Sequence, residues 1–404
     1  MLGDKRFLRS IKARNLLSFG PDTPELELKS LNVLIGPNAA GKSNLIEAIS
    51  LLHACPADLL EPIRSGGGIA EWLWKGAGHP PIAELDVGLN RLNQAANPVP
   101  LRHRLALGMV GNRAELVDEA VENECRKSPN DPDVYFYYRY QKGHPVLHVE
   151  SAGAKPTKRK LQREDLRIDQ SVLSQRKDPD QYPELTYLGD AYSKIRIFRD
   201  WDFCRGSRTR RPQPADSPAD FLNEDATNLA MVLNRLDRIG SLGDSMLERL
   251  READGSISRI STSVDGGTVQ IYLHYEGLKS PVPAARLSDG TVRYLALLSI
   301  LLHPAPPPLV CIEEPELGLH PDLLPGLSDL LIQASHRMQL VVSTHSDILV
   351  DGLTKVPESV IVCEKHGGST QMTRRTSAEL AKWLGDYGGL GQLWRSGEIG
   401  GNRW

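Results

Sequence analysis

Much of what would place this chain in a special class is missing. Its 404 residues contain no run of 18 or more apolar positions, so no membrane-spanning helix is predicted. The opening stretch, MLGDKRFLRSIKARN, is charged and has no apolar signal core. Cysteine is scarce, with five residues (Cys55, Cys125, Cys204, Cys311, Cys363) and no C-x-x-C pair. That pattern argues against a zinc site or a disulfide framework and fits a reducing cytoplasm. Neither sign of charge dominates: 48 Lys and Arg against 51 Asp and Glu leave a net charge of −3. No global field draws the protein onto nucleic acid, and any such site must be a local patch. From 56 to 283 several prolines occur and no sustained heptads, which excludes long coiled-coil arms there. The rest is ordinary, with 40% hydrophobic and 25% charged residues. This is enough core for one large α/β domain with an insertion, or for two domains.

One stretch organises what is present. Residues 31–47 read LNVLIGPNAAGKSNLIE: an apolar run, a turn and the start of a helical pattern. Within it, Gly36-Pro37-Asn38-Ala39-Ala40-Gly41-Lys42-Ser43 has the spacing G-x-x-x-x-G-K-[ST], in the strand–loop–helix setting such a loop needs. Gly36 and Gly41 let the backbone curl so that its N–H groups converge on one anion. The following helix, running on through Asn44, adds its own unpaired N–H groups and the positive end of its dipole. Lys42 can reach the β and γ phosphates of a nucleotide, and Ser43 can set its hydroxyl on Mg²⁺.

A second cluster lies between 286 and 346. In RLSDGTVRYLALLSILL, Leu287-Ser288-Asp289-Gly290 heads a strongly apolar helix, with Ser288 placed as its N-cap. The run Leu309 to Ile312 reads as a buried parallel strand ending in Glu313 and Glu314. Glu313 suits Mg²⁺ held through its water shell, and Glu314 suits orienting or deprotonating an attacking water. A helix is predicted to about Ala334, then a buried strand Gln339 to Ser343 that ends in Thr344-His345-Ser346. His345 is thereby placed beside the carboxylate strand, within reach of a γ-phosphate.

The remaining chain reads as follows. Strands are predicted over 7–18 and 25–35, a helix from Asn44 to His53, and a β-rich insertion from about 80 to 160. Basic clusters occur at 153–167 (Lys155, Lys158, Arg159, Lys160, Arg163) and at 205–211 (Arg205, Arg208, Arg210, Arg211). Each reads either as a solvated loop or as a contact to a phosphate backbone. A proline-rich joint spans 212–218, helices are predicted over Asn223 to Leu236 and about 242–253, and a hairpin turns at Asp265-Gly266-Gly267.

GPNAAGKS, LSDG, CIEEPELGLHP and STHS, in this order, resemble the P-loop ATPases of the ABC/SMC/RecF type. Within that group the chain is similar to the stand-alone OLD-like and RecF-like AAA-family ATPases. The likeness covers roughly 1–55 and 284–352. It implies an α/β fold: an ABC-type core of mixed sheet flanked by helices, with an inserted β-rich arm and helical subdomain. The core would fall into 1–55 and 284–365, the insertion would be 56–283, partly core sheet, and 366–404 would be a tail. The motifs would be Walker A, signature, Walker B with D-loop, and switch histidine. Gly36 to Ser43 would bind phosphates and Mg²⁺, and Ser288, Asp289 and Gly290 would act in trans on a partner protomer's γ-phosphate. Glu314 would be the catalytic carboxylate and His345 the switch. Glu313 stands where Asp is more usual. Gln175, in SVLSQRKDP, is the candidate for the family's Gln-loop and a metal-side ligand. The tail GQLWRSGEIGGNRW is similar to tails in the subgroup and has no evident mechanism.

The resemblance implies ATP and Mg²⁺ as cofactors and a homodimer or higher even oligomer with composite sites. The heptad-free middle argues against an SMC protein with long arms. The OLD nucleases carry a TOPRIM domain, for which the roughly 50 residues after the histidine are too few. The expected function is an ATP-hydrolysing switch that drives a separately encoded effector or a DNA transaction, in phage defence or genome maintenance. A RecF-like DNA-binding repair ATPase is the alternative. The ATPase subunit of a membrane transporter shares the motifs, but the glutamate Walker B and the β-rich insertion disfavour it.

Overall fold

The computed structural model describes residues 6–76, 82–92, 99–126, 133–141, 144–149, 157–160, 166–167, 169–240 and 243–401. The chain divides into two compact units. The first holds Met1–Ile195 with Ile361–Arg374 and Gly400–Trp404, the second Arg196–Val360 with Arg375–Ile399. The architecture is α/β, with mixed sheets and flanking helices.

The first unit begins with β1 (Leu8–Arg14), whose alternation of buried and part-exposed side chains is that of a strand covered on one face. It pairs antiparallel with β2 (Leu26–Glu27), Ile11 opposite Leu26. β3 (Leu31–Ile35) is buried at every position. The single strand expected over 25–35 is therefore two. The Asn32 side chain accepts from Lys29 N at 2.8 Å and donates to Lys29 O at 2.6 Å, closing a local turn. An Asn that bonds its own backbone this way competes with the ladder and breaks the strand. α1 (Lys42–Ala54) buries Leu45, Ile46, Ala48, Ile49, Leu51 and Leu52. Each fully buried aliphatic side chain contributes about 1.5–3 kcal/mol.

After α2 (Glu61–Ser65) and α3 (Ile69–Trp72), six strands extend the β1 sheet. They are β4 (Ala83–Leu89), β5 (Leu101–Val110), β6 (Arg113–Asn123), β7 (Phe136–Gln141), β8 (His144–Val149) and β9 (Thr157–Lys160). The order is β2-β1-β4-β5-β6-β7-β8-β9, with Leu85 opposite Ala13 on one side and Leu105 on the other. The β-rich stretch read between 80 and 160 is present and grows directly out of β1. Of its basic cluster, Lys158, Arg159 and Lys160 lie on β9, while Lys155 and Arg163 fall outside the described residues. α4 (Val172–Gln175) and α5 (Pro183–Ser193) close this part. They are tied to the sheet by a buried polar cluster. His103 bonds the Tyr192 hydroxyl at 3.1 Å and Glu119 at 3.2 Å, while Glu119 accepts from Ser171 Oγ at 2.5 Å and Val172 N at 2.8 Å. Every member has a partner, as buried polar groups require.

The second unit opens with β10 (Arg196–Phe198), then β11 (Gln213–Pro214), which lies inside the proline-rich joint. α6 (Leu229–Arg238) starts six residues later than Asn223. The Asn228 side chain accepts from Asn223 N and donates to Pro218 O and Phe221 O, winding the preceding residues into a turn. α7 (Gly243–Ala253), the hairpin β12 (Ile257–Asp265) and β13 (Thr268–Tyr275), and β14 (Val282–Pro283) follow. Gly266 and Gly267 both take positive φ, 54° and 78°, as the two-residue hairpin turn needs.

α8 (Asp289–Leu301) is buried on nearly all sides, which its unbroken apolar run dictates. β15 (Leu309–Glu313), α9 (Leu324–Ser335), β16 (Gln339–Ser343) and α10 (Asp347–Asp351) complete the segment. β10, β15 and β16 run parallel, with Phe198 beside Ile312, Ile312 beside Val342, and Glu313 beside Ser343. The C-terminal ends of two strands therefore emerge together, the usual ligand edge of such a sheet. β17 (Val360–His366) and β18 (Ser369–Arg374) return the chain to the first unit, where β17 neighbours β3. α11 (Ser377–Tyr387) and α12 (Leu390–Ser396) belong to the second unit.

Candidate active site

In the first unit β3 runs into the loop Gly36–Gly41, and α1 starts at Lys42. Three of its residues have positive φ: Gly36 at 143°, Ala39 at 63° and Gly41 at 99°. The two glycines are required by contact as well as by conformation. A Cβ on Gly36 would lie 2.2 Å from the backbone oxygen of Cys363 on β17, and one on Gly41 would lie 2.2 Å from Thr370 Oγ1 on β18. Lys42 is buried across the loop and donates to Gly36 O at 2.8 Å and Pro37 O at 3.0 Å. Asn38, Ala39 and Ser43 are exposed on the open side, Pro37 and Asn44 are half-buried, and Ala40 is buried.

The back of the loop is held by hydroxyls from far along the chain. Thr370 Oγ1 bonds Ala40 O at 3.0 Å and Ser18 Oγ at 2.6 Å, and Asn44 Nδ2 donates to Ser18 Oγ at 2.6 Å. Burial pushes the Cys363 thiol up to about 12, with the Lys42 charge working against it. Ser18 and Thr370 were not among the residues expected to matter. Nothing in their spacing marks them, since the pairing is made by the fold across 352 positions.

In the second unit β15 ends at Glu313, which is mostly buried and 3.9 Å from Arg199 Nε. Glu314 has φ 45°, a left-handed backbone on a residue with a side chain. Its N–H donates to Ser343 O at 3.0 Å, which fixes the carboxylate strand to the histidine strand. Such a conformation costs about 1–3 kcal/mol and persists where the surroundings enforce it. Glu314 Oε1 lies 3.6 Å from His345 Nε2. Glu316 orients the same corner, its Oε1 accepting from Thr344 Oγ1 and from His345 N, each at 2.7 Å. The two glutamates and the histidine named from sequence thus meet at one sheet edge, with Glu316 as a further member.

The LSDG turn has the form its sequence suggests. Ser288 Oγ accepts from Thr291 N at 3.1 Å as the N-cap of α8. Ser288 and Asp289 are exposed. Gly290 faces the loop after the glutamates: a Cβ there would stand 2.6 Å from Gly318 O. Of the basic cluster at 205–211, Arg205, Arg208 and Arg211 are exposed, but Arg210 is neither a solvated side chain nor a surface contact. It is buried, with its guanidinium bonded to the LSDG turn.

Gln175 sits in the first unit at the end of α4. Its carboxamide accepts from Arg167 N at 2.8 Å and donates to Gln170 O at 3.0 Å, so it is engaged in its own turn. The tail, left without a mechanism by the sequence, folds onto α10, the helix that follows His345. Gly391 N donates to Asp351 Oδ1 at 3.1 Å and Arg395 pairs with Asp347 at 3.0 Å. Gly389 and Gly391 allow this approach, since a Cβ on Gly391 would fall 2.2 Å from Asp347 O. Trp404 lies outside the described residues. Among the described residues no helix is long and apolar enough to cross a membrane, and no three His, Cys, Asp or Glu gather as a metal-binding group.

Comparison with known proteins shows the family and the fold. The model of a family described as "AAA domain, putative AbiEii toxin, Type IV TA system" matches residues 31–92 and 158–351, well over half of the chain. Among solved structures the chain is similar to an Smc head bound to the C-winged helix domain of ScpA, with TM-score 0.55 and 15% identity over 92% of this chain and 99% of that one. It is also similar to the Pyrococcus furiosus Smc head domain with an extended coiled coil bound to the C-terminal domain of ScpA, with TM-score 0.53 and 12% identity over 94% and 99%. At these identities the likeness is one of fold. No curated protein matches the sequence.

Proposed function

The chain belongs to this AAA-domain family and is an ATPase of the ABC/SMC type, and from that premise we propose that it is an ATP-hydrolysing switch that closes as a dimer around nucleotide. The observation that carries the reading is the exposed signature turn. Ser288 caps a 13-residue helix and lies exposed with Asp289, while the same chain carries a complete G-x-x-x-x-G-K-S loop. A second copy is the natural owner of the phosphate that this turn meets.

Ser43, at the start of α1, and Glu313, at the end of β15, are hard oxygen donors of the kind Mg²⁺ takes. When bound, the ion neutralises charge on the transferring phosphoryl group. Lys42 holds the β and γ phosphates as a point charge. Glu314 accepts the proton of the attacking water or aligns it, and His345, 3.6 Å from that carboxylate, senses the γ-phosphate and holds Glu314 in place. Binding of the γ-phosphate favours the closed dimer and hydrolysis releases it. What closure acts on is proposed to be a partner protein. The toxin–antitoxin wording of the family and the ScpA-bound Smc heads support this, in a setting of phage defence or genome maintenance. Size-exclusion chromatography of Glu314→Gln with ATP tests the reading. A dimer that forms only with ATP is expected, and a monomer under all conditions overturns it.

A second reading, a RecF-like repair ATPase, is favoured by the exposed Arg205, Arg208 and Arg211 in one short loop. It expects turnover that duplex DNA raises several-fold, and binding that weakens steeply with salt. Turnover indifferent to DNA leaves the partner-protein reading.

A further inference from the structure

Arg210 is the largest fully buried side chain among the described residues. It sits at the end of a single 3-10 turn, Arg208–Arg210, in a loop whose other arginines are exposed. Its guanidinium gathers four acceptors, one from its own loop and three from the distant segment 284–289. Nε donates to Phe203 O at 2.8 Å, and Nη1 donates to Ala284 O at 3.1 Å and Leu287 O at 2.6 Å. Nη2 donates to the Asp289 carboxylate.

These contacts matter because of where they fall. Leu287 O belongs to the peptide plane that enters Ser288, so fixing it fixes the orientation of the cap. Asp289 is the first residue of α8, and a carboxylate there opposes the turn's task. The negative charge favours the helix dipole but repels an incoming phosphate. Paired with Arg210 its charge is neutralised, while Ser288 stays exposed as the cap of α8, its Oγ accepting from Thr291 N. A lysine retains the charge but cannot span a fork of four acceptors.

We propose that Arg210 is the positioning residue of the signature turn: it sets the Ser288 cap and cancels the Asp289 charge, so that the turn can accept a γ-phosphate held by another protomer. This rests on the reading of Ser288–Gly290 as the half-site that acts in trans. It concerns turnover and closure, not nucleotide capture by the phosphate loop.

The test compares wild type with Arg210→Lys, Arg210→Met and the double variant Arg210→Met with Asp289→Asn. Amide exchange over 284–292 is expected to quicken about tenfold in Arg210→Met and less in Arg210→Lys, with 295–301 unchanged. ATP affinity of the isolated protomer is expected to stay within about twofold, while kcat falls by about tenfold or more. Asp289→Asn is expected to recover part of the kcat lost in Arg210→Met by removing the carboxylate left without its cation, a rescue that a purely structural role does not give. Unchanged exchange at 284–292, or a loss of ATP affinity that matches the loss of kcat, overturns the proposal. Should wild type form no ATP-dependent dimer, the switch reading fails on that ground, and the exchange measurement still decides whether Arg210 holds the turn.

Discussion

The proposed phosphate loop and signature turn are shaped by different means. Each presents backbone N–H groups at the start of a 13-residue helix. The first is shaped by what its residues lack: Gly36 and Gly41 have no Cβ where Cys363 O and Thr370 Oγ1 leave no room for one. The second is shaped by what a distant residue adds, the Arg210 fork on Leu287 O and Asp289. A loop built by glycine declares itself in sequence, because the missing side chain is written at the site. A turn built by a neighbour's guanidinium does not.

The largest effect is expected at the glycines. Gly36→Ala forces a backbone contact and removes a conformation that side chains rarely adopt, at a cost of about 2–4 kcal/mol. ATP binding, measured with a fluorescent analogue, is expected to fall below detection while α8 and its turn keep their amide protection. Loss of protection in both would break the comparison. Next, Arg210→Met leaves three carbonyls and a carboxylate without their charged donor. It is expected to loosen the turn locally, seen as about tenfold faster amide exchange over 284–292, and to lower turnover far more than ATP affinity. Thr370→Val is smaller still. It removes the hydroxyl bonds to Ala40 O and Ser18, worth about 1 kcal/mol, and is expected to weaken ATP binding a few-fold with kcat nearly unchanged. The smallest perturbation is labelling. Cys204, in the Arg210 loop, is exposed, as is Cys125, whereas Cys363 behind the phosphate loop is buried and its thiol is pushed up to about 12. Mild alkylation at pH 8 is expected to modify Cys125 and Cys204 and to spare Cys55, Cys311 and Cys363.

The comparison also explains what was legible beforehand. The strands β3, β15 and β16 and the helices α1 and α8 follow from apolar runs and glycine or serine punctuation, so Lys42, Glu313, Glu314, Ser288 and His345 could be placed by residue. What the pattern could not carry was choice of partner. Asn32 splits one expected strand by bonding its own backbone, Asn228 delays α6 in the same way, and both are local competitions that apolar periodicity does not see. Arg210 reads like Arg208 and Arg211, and only packing separates them. Thr370, Ser18 and Glu316 act through contacts made by the folded chain. The tail's glycines, Gly389 and Gly391, looked like punctuation and serve instead as the contact with α10.

The central claim is that a working site takes its phosphate loop from one protomer and its signature turn from another. Lys42→Ala disables the first half and Ser288→Arg the second, and each variant alone is expected to be inactive. Mixed in equal amounts they should pair at random, half of the dimers being mixed with one of two sites intact, and about a quarter of wild-type turnover is expected to return. A mixture that hydrolyses no more ATP than the two variants apart would contradict the claim.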